Sequence, residues 1–256
     1  MSLRDRKPES SVSKEDIKTG LKKLGLKKGD LLGVHSSLSS FGHVDGGADA
    51  VIDALLETVG TQGNIVMSTH SANMSQDKRT PEMIAIGVSW LLKILPYDSD
   101  TTPVRTGIIP ETFRKRKGVI RGSDPSNSIA ALGAKARELS EGWHKVLEMD
   151  GYILLIGVGL RVCTAMHLAE RCVQFPDRIL KKITPPKWFA DKYSSNEWEW
   201  DFGPYPDFAK LEAPCLERGI VKTVTVGKAT LKLLRLRELI DLYEEYLRKN
   251  PDLFYS

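Results

Sequence analysis

No apolar run in this chain approaches the roughly 18 residues that a membrane-crossing helix needs, so no part of it is expected to span a bilayer. The opening stretch, Met1 to Asp16, also lacks an apolar segment, and no secretion signal is read there. Cysteine is scarce: Cys163, Cys172 and Cys215 are an odd set with no CxxC pair. That excludes a disulfide framework and fits free thiols in a reducing cytoplasm. A dominant charge is missing as well. The 37 Lys+Arg against 33 Asp+Glu leave only +4, too little for a dedicated nucleic-acid binder, though it suits an anionic ligand. Internal repeats and low-complexity tracts are absent.

What is present is ordinary globular material, 41% hydrophobic and 27% charged over 256 residues, enough for one large α/β domain. Residues 1–12 read as a flexible arm and 13–256 as a single domain. Ser13, with Asp16 three residues on, marks a helix start. The helix 17–24 carries apolar residues at 17, 21 and 24, and Gly25 stops it. Residues 31–35 are almost wholly apolar, as a buried strand is. A helix over 48–59 and a second buried strand over 65–69 follow, an α-β-loop-α-β order typical of layered α/β folds. The polar excursion 71–110 contains one helix-like apolar stretch, 84–95, and an excursion of that length suits a lid or binding segment. Further on, the pattern predicts a helix from Ile109, a short strand over 128–132, a helix over 134–139 and a central strand from Tyr152. A helix over 164–172, edge strands within 183–201 and a last helix over 234–249 complete the expectation.

Chemistry concentrates in three places. The Ser-rich loop after the first strand leaves a strand's carboxyl end and leads into a helix through Gly46-Gly47, the usual place for a ligand in an open α/β sheet. Its hydroxyl and N–H groups suit a phosphate or an acyl oxygen, and a plain Ser-rich turn has the same composition. It is not a Walker A loop, because no Lys-Ser/Thr ends it. His167 and Glu170 sit at i, i+3 on one helix face, the spacing of a carboxylate-held general base and equally of a surface pair. Cys163, His167 and Glu170 at i, i+4, i+7 also have the spacing of three metal ligands, but no other tight cluster completes such a site, so no metal is expected. The basic run Arg114 to Lys117, with Arg105 and Arg121 nearby, offers contacts for a phosphorylated ligand or a solvated helix end.

Four segments in order resemble the aminoglycoside 3-N-acetyltransferase family. Val34-His35-Ser36-Ser37-Leu38, followed by Gly42 and Gly46-Gly47-Ala48, is similar to that family's HxSL…G…GGA signature. Pro103-Val104-Arg105-Thr106-Gly107 with Glu111, Phe113 and Arg114 resembles its second signature. Ser128-Ile129-Ala130-Ala131-Leu132-Gly133 looks like its SxAAxG block, and Leu154 to Gly159 with Thr164, His167, Ala169 and Glu170 looks like LLxGVG…TxxHxxE. The resemblance covers roughly residues 17–247. Two positions depart from the family pattern: Asn127 and Asp124 stand where the family often has histidines. The loop before Tyr152 also looks shortened.

The resemblance implies a three-layer α/β/α fold with a central mixed sheet, distinct from the common N-acetyltransferase fold. It implies acetyl-CoA as donor and an amine of an aminoglycoside or other amino sugar as acceptor. His167 would be the base and Glu170 its orienting partner. The donor would be held by His35, Ser36, Ser37, Leu38, Ser39, Gly42, Thr69, Arg105, Thr106 and Gly107, with N–H groups of the 36–39 loop meeting the oxyanion and Arg105 or Arg114 the phosphates. An acidic acceptor pocket would draw on Asp77, Asp98, Asp100 or Asp201. The departure at Asn127 motivates an alternative, a non-catalytic or acceptor-divergent acyl-CoA-binding relative.

Overall fold

A computed structural model describes residues 11–256. Residues 1–10 of the expected arm lie outside that range, but Ser11 and Val12 do not behave as an arm. Val12 is buried and bridged to Val44, and the Ser11 hydroxyl bonds Asp45. Helix α1 (Lys14–Lys23) begins with a full capping box: Ser13 Oγ accepts the Asp16 N–H, and the Asp16 carboxylate accepts the Ser13 N–H at 2.9 Å. It ends in a Schellman turn, with Gly25 N–H on Lys22 O and Leu26 N–H on Leu21 O. The turn requires the left-handed φ of +94° that Gly25 adopts.

Strand β1 (Leu31–Ser36), helix α2 (Gly47–Val59) and strand β2 (Asn64–Ser68) follow as the periodicity predicts. Next come α3 (Pro81–Ala85), β3 (Val88–Lys93), α4 (Ile108–Arg114), β4 (Ile120–Arg121) and β5 (Ile129–Gly133). Short helices α5 (Ala136–Leu139) and α6 (Trp143–Glu148) lead into β6 (Tyr152–Ile156), then α7 (His167–Glu170), α8 (Asp177–Ile183) and α9 (Lys187–Lys192). Strand β7 (Trp198–Phe202), helix α10 (Glu212–Glu217), the hairpin β8 (Val221–Val226) and β9 (Ala229–Arg235), and helix α11 (Leu236–Lys249) complete the order.

Seven strands make one mixed sheet in the order β4-β5-β2-β1-β6-β9-β8. β1 is parallel to both β2 and β6, while β5 and β9 flank this trio antiparallel. Successive residues of a strand point to opposite faces, and the core divides accordingly. Leu32, Val34, Leu154, Ile156, Leu231 and Leu233 pack with α1, α2 and α4. Leu31, Ile153, Leu155 and Leu234 pack with α5, α6, α7 and α11. These are the three layers that the resemblance implied. Each fully buried Leu or Ile contributes about 1.5–3 kcal/mol. Among the described residues no helix is long and apolar enough to cross a membrane.

Three expectations need correction. The stretch 84–95 is not a helix: Gly87, at φ +103°, ends α3, and the following residues form β3, paired antiparallel with β7. The stretch 183–201 holds one helix, α9, and one strand, which pairs with β3 in a separate two-stranded sheet rather than at the main sheet's edge. Cross-strand partners supplied by Trp198, Trp200 and Phe202 decide this, a tertiary choice that local propensity does not contain. The segment 164–172 forms a 3-10 turn and then the single turn of α7. The β8–β9 hairpin is a further element beyond the expectation, although 223–226 alternates and Gly227 sits at the first turn position with φ +57°.

Gly33 lies in β1 directly under Trp143, where a Cβ would stand 2.5 Å from the indole ring and 3.0 Å from Ile153. Gly33→Ala therefore overpacks this contact. The expected cost is about 1–3 kcal/mol in urea unfolding, and an unchanged midpoint would show that Trp143 moves aside freely.

Candidate functional site

The carboxyl ends of β1, β2 and β6 meet at one edge of the sheet, the place where open α/β sheets bind ligands. A cleft of about 1030 Å³ opens there. One wall is the segment before β5, with Asp124, Ser126 and Asn127; the other is the two-stranded sheet, with Trp90, Glu199, Trp200 and Asp201. His70 enters from the end of β2, and Thr164, His167 and Glu170 from the segment after β6.

His167 and Glu170 do come together as their spacing predicts. His167 Nδ1 meets Glu170 Oε2 at 3.0 Å, and Nε2 meets the hydroxyl of Tyr205. Glu170 Oε1 receives the Tyr243 hydroxyl at 3.2 Å, and Tyr255 faces the same carboxylate. Burial, reinforced by that negative charge, raises both phenols, so they remain donors. The result is an imidazole held on one side by a carboxylate that is itself held from behind, a geometry suited to taking up a proton.

Cys163 does not join them. It is fully buried in the core and burial pushes its thiol up to about 12. Among the described residues no three His, Cys, Asp or Glu side chains are grouped to hold a metal. Arg114 is not available to a phosphate either: Glu111 binds it twice, at 2.7 and 2.8 Å, and it also donates to Asp100 O. Asp77, Asp98 and Asp100 serve their own turns rather than the cleft: Asp77 holds Arg79, Asp98 accepts the Thr101 N–H, and Asp100 donates its own N–H to Asp98. Asp201 is in the cleft, and burial raises its carboxyl above the usual range.

The residues expected around the donor are spread along the same sheet edge. His35 is buried and stacked on Trp143, with ring centroids 5.2 Å apart. Ser36 Oγ is buried with no partner among the described residues. Ser37 and Ser39 share a bond at 3.1 Å and Leu38 begins a 3-10 turn that Gly42 closes. Thr69 is fully buried, and Thr106 Oγ1 bonds Ser68 O at 2.7 Å, so both hold the end of β2 in place. Arg105 pairs with Glu199 at 2.8 Å on the cleft wall, and Gly107 borders open space.

Local spacing does not single out His70, Glu199, Tyr205 or Tyr255. Glu199 and Asp201, two apart on a strand, share a face, which was legible once β7 was known. His70, Tyr205 and Tyr255 had no motif around them. His70 brings an imidazole into the cleft whose wall carries Asn127. Glu199 Oε2, Asp201 Oδ2 and Trp90 Nε1 are buried without partners among the described residues, so this wall has hydrogen-bonding capacity to spare.

A three-layer α/β protein with a His–carboxylate pair in an acid-walled cleft is the class these features define. The family model for aminoglycoside 3-N-acetyltransferases matches residues 34–248, and the chain belongs to that family. It is 30% identical over 259 residues to the SPbeta prophage-derived aminoglycoside N(3')-acetyltransferase-like protein YokD of Bacillus subtilis (strain 168), covering 93% of each. It is 30% identical over 236 residues to aminoglycoside N(3)-acetyltransferase III of Salmonella sp., covering 87% of this chain and 81% of that one. The crystal structure of YokD from Bacillus subtilis superposes with a TM-score of 0.75 at 27% identity, covering 96% of both chains.

Two histidines give the fold a pH dependence. Burial, then the charge of His70, lowers His35 from 6.5 to about 3. Burial, then Arg105, lowers His70 from 6.5 to about 4. Both are neutral in the folded state, whereas the unfolded chain takes up protons below about 6.5. Stability is therefore complete above that pH and falls as pH drops toward 4, by a few kcal/mol in total, on the order of 1.4 kcal/mol per unit for each group. Denaturant unfolding at pH 7.5, 5.5 and 4.5 reads this. His35→Gln should flatten the slope, and an equally steep variant would remove His35 from the account.

Proposed function

We propose that this chain transfers the acetyl group of acetyl-CoA to an amine of an aminoglycoside or another amino sugar. The observation that carries the reading is the His167–Glu170 pair facing a cleft whose walls bear Asp124, Glu199 and Asp201. An acceptor ammonium must lose a proton before its nitrogen attacks a thioester. His167 removes it and Glu170 orients the imidazole and balances its charge. A polycationic acceptor finds in the wall the carboxylates it needs, and the spare oxygens of Glu199 and Asp201 support that role. The names of the matched family and of the Salmonella relative support an amine acceptor and an acetyl donor.

On the donor side we assign His35, Ser36, Ser37, Leu38, Ser39 and Gly42, with Thr69, Arg105, Thr106 and Gly107 across the sheet edge. Among the described residues, Ser36 supports this with a buried hydroxyl that has no partner, and Arg105 with a guanidinium bonded to Glu199 through Nη2 alone. Ser37 N–H is held by Ile156 O at 2.9 Å, so the N–H groups of Leu38 and Ser39 are the donors assigned to the tetrahedral oxyanion. No step requires a metal. The cytoplasm, where the three free thiols remain reduced, is the proposed location.

Release of coenzyme thiol from acetyl-CoA, followed across a panel of aminoglycosides and simple amino sugars, tests the reading directly. CoA at a hundredfold excess over its Kd should add about 2.7 kcal/mol of stability, seen as a rise in melting temperature. His167→Ala should lower turnover about 10²–10⁴-fold and leave that thermal shift intact. Near wild-type turnover in this variant would leave His167 a structural residue.

A further inference from the structure

Tyr205 follows β7 in the segment Gly203-Pro204-Tyr205-Pro206, between the two-stranded sheet and the cleft. Its ring packs edge-on against His167 at 5.2 Å and Phe208 at 6.0 Å, and tilts against Trp90 at 6.0 Å. The flanking prolines fix the backbone that presents it. Glu170 accepts on the Nδ1 side of the imidazole, so the hydrogen-bond network places the ring proton on Nδ1 and the lone pair on Nε2. The Tyr205 hydroxyl donates to that lone pair. The atom expected to take the acceptor's proton is thus already occupied by a phenol, whose oxygen keeps its own lone pairs. Tyr205 is 43% exposed and lines the cleft, so the phenol borders the space an amine there would occupy.

Building on the acetyl-transfer reading, we propose that Tyr205 is a proton relay between the acceptor amine and His167. The Tyr205–His167 pair first passes the ammonium's proton on to water; the acceptor nitrogen, now a free amine, attacks the thioester carbonyl and gives a second proton to Tyr205 Oη, while the phenol's own proton passes to His167 Nε2. The carbon–nitrogen bond forms, the carbon–sulfur bond breaks, and its electron pair leaves on sulfur. The proton held on the imidazole returns through the phenol to the thiolate, leaving an amide, a free thiol and the starting His–Tyr pair. Burial, then the charges of Glu170 and Asp201, push the phenol up to about 12, so it holds a proton to hand on at neutral pH. Glu170, already bonded to Tyr243, takes the growing imidazolium charge.

Tyr205→Phe separates this role from a simple plug over the base, because it keeps the packing on Phe208 and Trp90 and removes only the hydroxyl. A relay predicts that kcat falls at least tenfold while KM for acetyl-CoA and the melting temperature stay at wild-type values. A plug predicts equal or faster turnover, since Nε2 is uncovered, and that result overturns the proposal. Wild-type protein that acetylates no amine in the panel would instead sink the acetyl-transfer reading. In that event nitrogen NMR of His167 decides: loss of the hydroxyl must shift the Nε2 resonance, and an unshifted resonance rejects the Tyr205–His167 pair.

Discussion

The hydroxyl of Thr164 is shared by three parts of the chain that are far apart in sequence. It accepts the indole N–H of Trp143 at 3.0 Å and lies 3.2 Å from Ser68 Oγ. Trp143 in turn stacks on His35, at the end of β1. These contacts fasten the carboxyl ends of β1 and β2 to the segment after β6, and α7 begins three residues beyond Thr164. The position of His167 relative to the sheet is inherited from them. A side-chain hydrogen bond contributes only about 0.5–1.5 kcal/mol net, so what matters here is placement: with one fixed point under the cleft, the short α7 needs no length of its own to be rigid.

The cleft joins two bodies of different construction. The main sheet, packed on both faces, positions His167 and Glu170 through the segment that follows β6. The two-stranded sheet has a small core of its own around Leu91, Phe189 and Phe202, and it supplies the acidic and aromatic wall. Arg105, from the segment before α4, ties to that wall through Glu199. This division lets the acidic wall vary without disturbing the His167–Glu170 pair. The same division brings charges of both signs to the cleft, with Arg105 opposing the carboxylates that a cationic acceptor would use.

How much of this was legible in the sequence depended on whether the relevant contacts were local. Ser13 with Asp16, Gly25, the apolar runs of β1, β2 and β6, and the i, i+3 spacing of His167 and Glu170 all act within a few residues, and each was read correctly. The apolar content of 84–95 fits either period, and only pairing with Trp198, Trp200 and Phe202 selects a strand over 88–93. Arg114 illustrates a related limit. A basic residue beside a ligand signature looks available, and its engagement by Glu111 and by the carbonyl of Asp100 appears only when that turn is folded.

The sequence by itself determined the buried strands β1, β2 and β6 and the His167–Glu170 pair, because burial periodicity and local spacing are written in neighbouring residues, and its four ordered signatures determined the family. The tertiary structure decided who surrounds that pair. His70 arrives from the end of β2, Tyr205 from beyond β7, and Tyr243 and Tyr255 from α11 and the segment after it. None of these has a spacing relation to His167, since their meeting is set by which strand ends converge and which helix covers the sheet, a property of the packed layers and of no local stretch of chain.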